Sequence, residues 1–499
     1  MKRVLYWTVL LPGSVLLAAI GVAIIIAQSN WFQNQVRAKV IMIVEDATGG
    51  RLEVGKFRYD WRTLTAAVEP FVLHGTEPQN EPPLLHAKKV QIGLRITSLL
   101  QRQVDLRFLH VDVPAVHVSM TADGHTNIPE PRLLQSPTKN LMQDILNLRI
   151  QDFRLRNGSA EYNSFRVPLN VSARNVEARF GFDSRSLSYA GRVASREMVL
   201  DTPGSPNVHF GIDSQVVLNR RGLDIKHAEL ASEGSHLELS GGISDPASPR
   251  GDLNVNALVR LADVNHVLRV PIGNSGEVAF KGQLSFTMDG GFHWEVNGNA
   301  DAKGLGYHDR FVNIDHVNAA STVKLQKDSL ELPKLTVSTS DGTLHGRLQF
   351  SDWRRIVLDG DMSGVSLRML ASHFRIAEQT LEARMSGPLH ASALLTPHGF
   401  LDTEVRGRLT LAPVSGNIPM EGFVDASYQQ RTSSLNLGNS ALTLGGSRVD
   451  INGTVGQVLH VHATSLDPAD LKWALPLIGV PLPEHLPVLL PGGSGKFDG

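Results

Sequence analysis

The sequence predicts a mainly β protein: an elongated, repetitive β-sheet behind one N-terminal transmembrane helix, interrupted by a few short helices. Three observations predict it. One N-terminal segment lacks charge over a membrane-spanning length, and no second segment resembles it. Beyond about residue 50 the apolar residues recur with a period of two. Strand, glycine turn and strand then return at even spacing along the second half of the chain.

The anchor comes first. Lys2 and Arg3 precede 24 residues, Val4 to Ala27, without a charged side chain. As a helix these span roughly 36 Å at ~1.5 Å per residue, enough to cross a hydrocarbon core of about 30 Å. Val4, Leu5, Leu10, Val15, Leu16, Leu17, Ile20, Val22, Ile24, Ile25 and Ile26 would face lipid, with Tyr6 and Trp7 at one interface and Trp31 and Phe32 at the other. The basic end stays cytoplasmic, which places the bulk of the chain across the membrane. A cleaved signal peptide is the alternative, since Ala27-Gln28-Ser29 is small-x-small, but its apolar region is usually ~7–15 residues.

An amphipathic helix follows from about Trp31 to Ala47. Phe32, Val36, Val40, Ile43, Val44 and Ala47 share a stripe, and Thr48-Gly49-Gly50 ends it. Strand alternation then begins: Val90, Ile92, Leu94 and Ile96 on one face, Lys89, Gln91 and Arg95 on the other. Val104, Leu106 and Phe108 continue it before the phase shifts to Leu109, Val111 and Val113, which predicts a bulge. After Pro114, Val116, Val118 and Met120 read as a further strand closed by Asp123-Gly124. Residues 129–137, with Pro131, read as a linker.

Leu223 to Ile243 aligns without gaps on Leu435 to Val455, and a third copy starts at Leu330 with a short deletion expected before Gly346. A second landmark, Gly276 to Gly282, returns loosely at Leu381–Gly387 and Ser494–Gly499. Short helices are expected before each, at Leu261–Leu268, Leu367–Phe374 and Asp467–Leu475. The unit is thus about 106 residues, and because the last stops partway the chain is expected to be a fragment or a shortened member of its family. The expected organisation is an anchor over 1–29, an N-terminal unit over 30–130, a first β segment over 131–222, and repeats over 223–499.

Composition removes several classes of function. Lys and Arg number 48 against 49 Asp and Glu, with no basic run, which argues against nucleic acid as a partner. Zero cysteines exclude disulfides, thiolate metal sites and cysteine nucleophiles. No nucleophile elbow, phosphate loop or H-E-x-x-H is present, and no catalytic, cofactor or metal residues are assigned. His460 and His462 share a strand face without a third ligand at evident spacing; they, His110 and His117 read as outer-face residues. Asp105 and Asp112 have nothing to mark them as an acid–base couple.

The apolar stripe has a physical consequence. Too few helices follow to cover so much sheet, so the apolar face meets a second sheet, its own curled continuation, or a ligand. Periodicity alone leaves a sandwich array and an open trough balanced. Candidate lining residues are Val90, Ile92, Leu94, Ile96, Val104, Leu106, Val116, Val118, Leu237, Leu239, Ile243, Leu253, Val255, Val449, Ile451 and Val455.

The N-terminal region resembles the start of the AsmA-like superfamily, which includes AsmA and TamB. The residues that carry this are the anchor and helix, Thr48-Gly49-Gly50-Arg51-Leu52-Glu53-Val54-Gly55, Phe71 to Gly75, Pro83 to Ile92, Ser98-Leu99-Leu100, Val104-Asp105-Leu106, Pro114 to Val118, Asp123 to Pro129 and Phe153 to Tyr162. The resemblance covers most of the first 165 residues, and the order of its motifs is the specific part. It implies an inner-membrane protein whose sheet curls into a hydrophobic groove in the periplasm; the missing catalytic motifs separately argue against an enzyme. Such a protein would carry phospholipids toward the outer membrane. The other role it implies is a TamB-like assembly factor binding outer-membrane or secreted proteins. At 499 residues the chain looks short for crossing the periplasm alone, which implies a distal outer-membrane or periplasmic partner.

Overall fold

The computed structural model describes residues 30–60, 62–94, 106–121, 123, 125–129, 146, 149–165, 169–201, 207–244, 249–263, 275–288, 292–308, 313–367, 383–396, 399–414, 420–465 and 495–498. The expected anchor, the 130–137 part of the linker, residues 264–268 and 368–374 of the first two expected short helices and the whole of the third lie outside them. Among the described residues, no helix is long and apolar enough to cross a membrane.

The chain divides into two compact units, Met1–Leu253 and Asn254–Gly499. Unit 1 opens with α1 (Asn30–Thr48), the amphipathic helix the sequence predicts. Ile41 and Val44 pack on a buried cluster of Leu52, Val54, Val68 and Leu73. The helix stops where expected: Gly49 takes φ 76°, a left-handed value that costs glycine nothing, and donates to the Glu45 carbonyl at 2.7 Å. The Glu45 carboxylate accepts the Leu52 amide at 2.9 Å, which ties the helix end to the first strand.

Ten strands then succeed one another: β1 (Arg51–Asp60), β2 (Thr65–His74), β3 (Leu85–Leu94), β4 (Leu106–Met120), β5 (Phe153–Ser164), β6 (Leu169–Asp183), β7 (Ser188–Asp201), β8 (Val208–Asn219), β9 (Gly222–Ala231) and β10 (His236–Ser244). Each bonds to the next, antiparallel except for β4 and β5, which run parallel. β11 (Arg250–Arg260) straddles the boundary between the units.

The predicted phase shift is a ladder irregularity: Gly93 pairs with Phe108 but Leu94 with Leu106, so Arg107 bulges. The two strands expected on either side of Pro114 are instead one, β4. Val113 adopts φ 53° and is exposed, and the ladder to β5 skips from Asp112 to Ala115. Pro114 therefore lies within an irregularity, where a missing N–H breaks no pair.

Unit 2 continues the meander with β12 (Ser275–Thr287), β13 (His293–His308), β14 (Asn313–Gln326), β15 (Ser329–Thr339), β16 (Gly342–Ser351), β17 (Arg355–Ser366), β18 (Ala383–Thr396), β19 (Gly399–Pro413), β20 (Met420–Gln429), β21 (Ser434–Leu444), β22 (Ser447–Thr454), β23 (Leu459–Ser465) and β24 (Gly495–Asp498). All neighbours are antiparallel.

The three repeat copies are hairpins: β9–β10, β15–β16 and β21–β22. Each carries its irregularity at the same place. The ladder breaks between Ile225 and Ala228, between Leu332 and Leu335, and between Leu437 and Ser440. The pairs Glu229–Glu238, Thr336–His345 and Ala441–Asp450 also correspond, at constant offsets of 107 and 212. This corrects the expected deletion before Gly346. The middle copy aligns without a gap, and Gly346 takes the place of Leu239 rather than of Gly241. Gly241 and Gly453 hold φ 142° and 131° at the irregularity, which only glycine adopts freely, whereas the middle copy has Leu348 there. From one hairpin to the next the chain lays down six strands.

Candidate functional site

The ladder aligns the apolar residues into rows that run across the strands. In unit 1 one row passes from β1 to β10 through Phe57, Val68, Val90, Val111, Leu155, Ala178, Val193, Ser214, Ala228 and Leu239. A second comprises Tyr59, Ala66, Ile92, Leu109, Phe153, Phe180, Gly191, Val216, Ile225 and Gly241. In unit 2 a row crosses β12 to β18 through Leu284, Val296, Leu325, Leu330, Phe350, Ile356 and Ala393. Another crosses β15 to β21 through Leu332, Leu348, Leu358, Ala391, Val405, Tyr428 and Leu435. None contains a charged residue.

All seven residues of the Leu284–Ala393 row are half-buried. A second layer packed against them would bring such side chains close to full burial, as in a sandwich. Strand spacing of ~4.8 Å makes that row about 29 Å long, and the ten-strand rows of unit 1 about 43 Å. One acyl chain reaches about half of a ~30 Å hydrocarbon core.

Burial is complete in three places. Leu106, Leu146, Ile150 and Tyr189 form one cluster, in which the Tyr189 hydroxyl accepts the Ile150 amide at 2.8 Å. Burial pushes the Tyr189 phenol above its ordinary pKa. The others are the cluster under α1 and a group in unit 2 that includes Met385, Leu411, Leu444, Val449 and Ile451.

These clusters sort the sequence-predicted lining. Val90, Ile92 and Leu239 fall in the unit 1 rows. Val116 joins Leu52, Leu73, Leu85, Ala160 and Ala173, while Val118 joins Tyr162, Val171 and Leu200. Leu237 lies opposite Leu230, and Ile243 opposite Leu223. Val255 is half-buried. Leu106, Leu253, Val449 and Ile451 are sealed and offer no open surface. Val455 is exposed in the β22–β23 connection, off the face. Leu94 pairs with Leu106, and Ile96 and Val104 lie outside the described residues. Sequence reading missed Phe153, Phe180, Val296, Leu325 and Phe350. In β13 the signal was present as Trp294, Val296, Gly298, Ala300 and Ala302, but small residues hid the alternation.

The opposite face is polar and internally paired. Arg192 bonds both carboxylate oxygens of Asp213, one at 2.6 Å, and this holds Asp213 below the usual carboxylate range. The His390 ring nitrogen lies 2.6 Å from Asp359, which Arg347 also bonds at 3.2 Å; His390 first and Arg347 second hold that carboxyl low. His110 contacts Asp152 at 3.1 Å and His117 lies 3.6 Å from Glu161. His460 and His462 border a shallow depression with Arg448, Asp450 and Asn452. Among the described residues, no group of three or more histidine or acidic side chains is placed to hold a metal ion.

No protein-family model matches the chain, and no curated protein matches it.

Proposed function

We propose that the chain is a carrier rather than an enzyme: a periplasmic protein anchored in the inner membrane whose apolar sheet face conducts phospholipid tails toward the outer membrane. The observation that carries this reading is the uninterrupted, half-buried row from Leu284 to Ala393. A tail of ~16 methylenes gains about 13 kcal/mol on leaving water, at ~0.8 kcal/mol each. That cost bars lipid from an aqueous gap, and a continuous apolar surface removes most of it. The polar face meanwhile keeps the sheet hydrated on its other side.

The test is photo-crosslinking in the full chain, with a benzophenone amino acid at Leu325 on the apolar row or at Lys324 beside it. Phospholipid adducts at Leu325 and none at Lys324 are expected, together with phospholipid in native mass spectra. Protein adducts without lipid at Leu325 would favour the assembly-factor role instead.

A further inference from the structure

We propose that lipid enters and leaves unit 2 sideways, over one long edge of its sheet that dips into the surface of a bilayer. This rests on the reading of the apolar face as a lipid carrier and names where that face is loaded.

In an antiparallel meander alternate connections fall on the same edge. The links β12–β13, β14–β15, β16–β17, β18–β19, β20–β21 and β22–β23 therefore share one edge of unit 2. Hydrogen bonds join neighbouring links along it: Asp352 donates to the Asp328 carbonyl at 2.7 Å, and Leu395 to that of Arg354 at 2.6 Å. Phe292, Trp353, Phe400, Leu401, Val455 and Val458 lie at four of these links, each between 43% and 63% exposed, while β14–β15 and β20–β21 are polar. Two links of the other edge are described, Ser340-Asp341 and Gly445-Gly446, and neither carries an exposed apolar tip; the second lies beside the sealed Leu444. From β12–β13 to β22–β23 is ten strand steps, so the apolar edge runs about 48 Å.

The edge is continuous with the apolar face. Phe292 sits 6.0 Å from Phe286, on the strand face that also carries Leu284, and Trp353 meets Phe350 edge-on at 5.3 Å. A tail crossing at either point stays in contact with apolar side chains.

Two further observations choose a bilayer over a protein strand. Among the described residues, backbone groups of neighbouring links bond to one another, Gln430 donating to the Thr403 carbonyl and Val455 to that of Leu435, and are not free for strand addition. Nearby charges have both signs, with Lys327, Arg354 and Arg355 beside Asp328 and Asp352, while Arg431 is paired with Asp402 at 3.1 Å. Exposed aromatic and aliphatic tips with mixed charge suit insertion at the level where aromatic side chains settle in membranes, whatever the headgroup charge.

The absence of cysteine makes the test clean. Single Phe292→Cys, Phe400→Cys and Val458→Cys on the apolar edge, and Ser340→Cys and Gly446→Cys on the other, are labelled with an environment-sensitive dye in the full chain. Each protein is reconstituted into phosphatidylcholine vesicles with and without a quencher-bearing phosphatidylcholine. The three apolar-edge dyes are expected to be quenched at least twofold, the other two unchanged, and added anionic lipid to make no difference. Equal quenching on both edges, none on either, or disulfide-linked dimers through Phe292→Cys in place of quenching would overturn the proposal. If Leu325 still crosslinks to lipid in that case, only the sideways route fails; if it does not, the carrier reading fails with it.

Discussion

The two units share one construction and differ in where they seal it. In unit 1 the Phe57–Leu239 row includes fully buried Val68, Val90, Ala178 and Ala228, α1 packs on the first strands, and Leu146 and Ile150 close on Tyr189. Turns β1–β2, β6–β7 and β8–β9 are polar: Asp60, Asp183 and Asn219 each accept the amide two residues on, from Arg62, Arg185 and Arg221, at 2.8–2.9 Å. In unit 2 the central row is half-buried throughout and the connections carry aromatic tips. The same strand grammar therefore serves two ends within each unit: sealed positions, such as Val68 and Ala178 in unit 1 and Leu444 and Val449 in unit 2, and half-buried rows, Tyr59–Gly241 in unit 1 and Leu284–Ala393 in unit 2. Row continuity is common to both, whereas exposure is tuned by what sits on the face and at its edge.

The sharpest way to break this comparison is to put charge into the rows. Leu325→Lys in unit 2 should lower bound phospholipid more than tenfold while leaving the fold intact, because a half-buried ammonium reaches water. Ala178→Lys in unit 1 should instead unfold its unit, since the site is sealed. Equal behaviour of the two, by lipid extraction and circular dichroism, would erase the distinction. Next in size, Leu444→Ala empties a side chain only 1% exposed and should cost about 2–5 kcal/mol in denaturant unfolding. The same change at half-buried Leu348 should cost clearly less. Tyr189→Phe strands the Ile150 amide and should cost about 1–3 kcal/mol by the same measurement.

The smallest effect is electrostatic. Asp359 is held low by His390 and Arg347, so its contribution is complete above the unfolded-state pKa and fades as pH falls through the lower folded value, below about 4. Asp359→Asn should weaken the acid-induced loss of stability, and at neutral pH it should cost less than about 1 kcal/mol because the pair is exposed to solvent. A melting-temperature series from pH 7 to pH 3 checks both.

How far the sequence discloses this fold depends on side-chain size. Where both faces are strongly marked, as in Leu344, Leu348 and Phe350 against His345, Arg347 and Gln349, the strand and its inner face can be read directly. The α1 stop at Gly49, the Arg107 bulge and the repeat hairpins were legible for the same reason: each has a local signature. The rows were not, because they are a property of register between strands. Ala300 against Ser321, or Gly191 against Val216, takes its meaning only from its neighbours. The parallel β4–β5 pair has no local signature at all. Nor could periodicity separate Val449, sealed at 2%, from Val296, half-open in the central row.

The six-strand beat of the hairpins has a consequence for length. An even number of strands brings the chain back to the same edge, travelling the same way, with the same residues turned inward. A whole repeat can thus be inserted or lost without inverting the strands downstream, and each changes the ladder by about 29 Å. Evolution of such a chain is then the resizing of a ruler in fixed graduations, with its two ends free to keep their own chemistry.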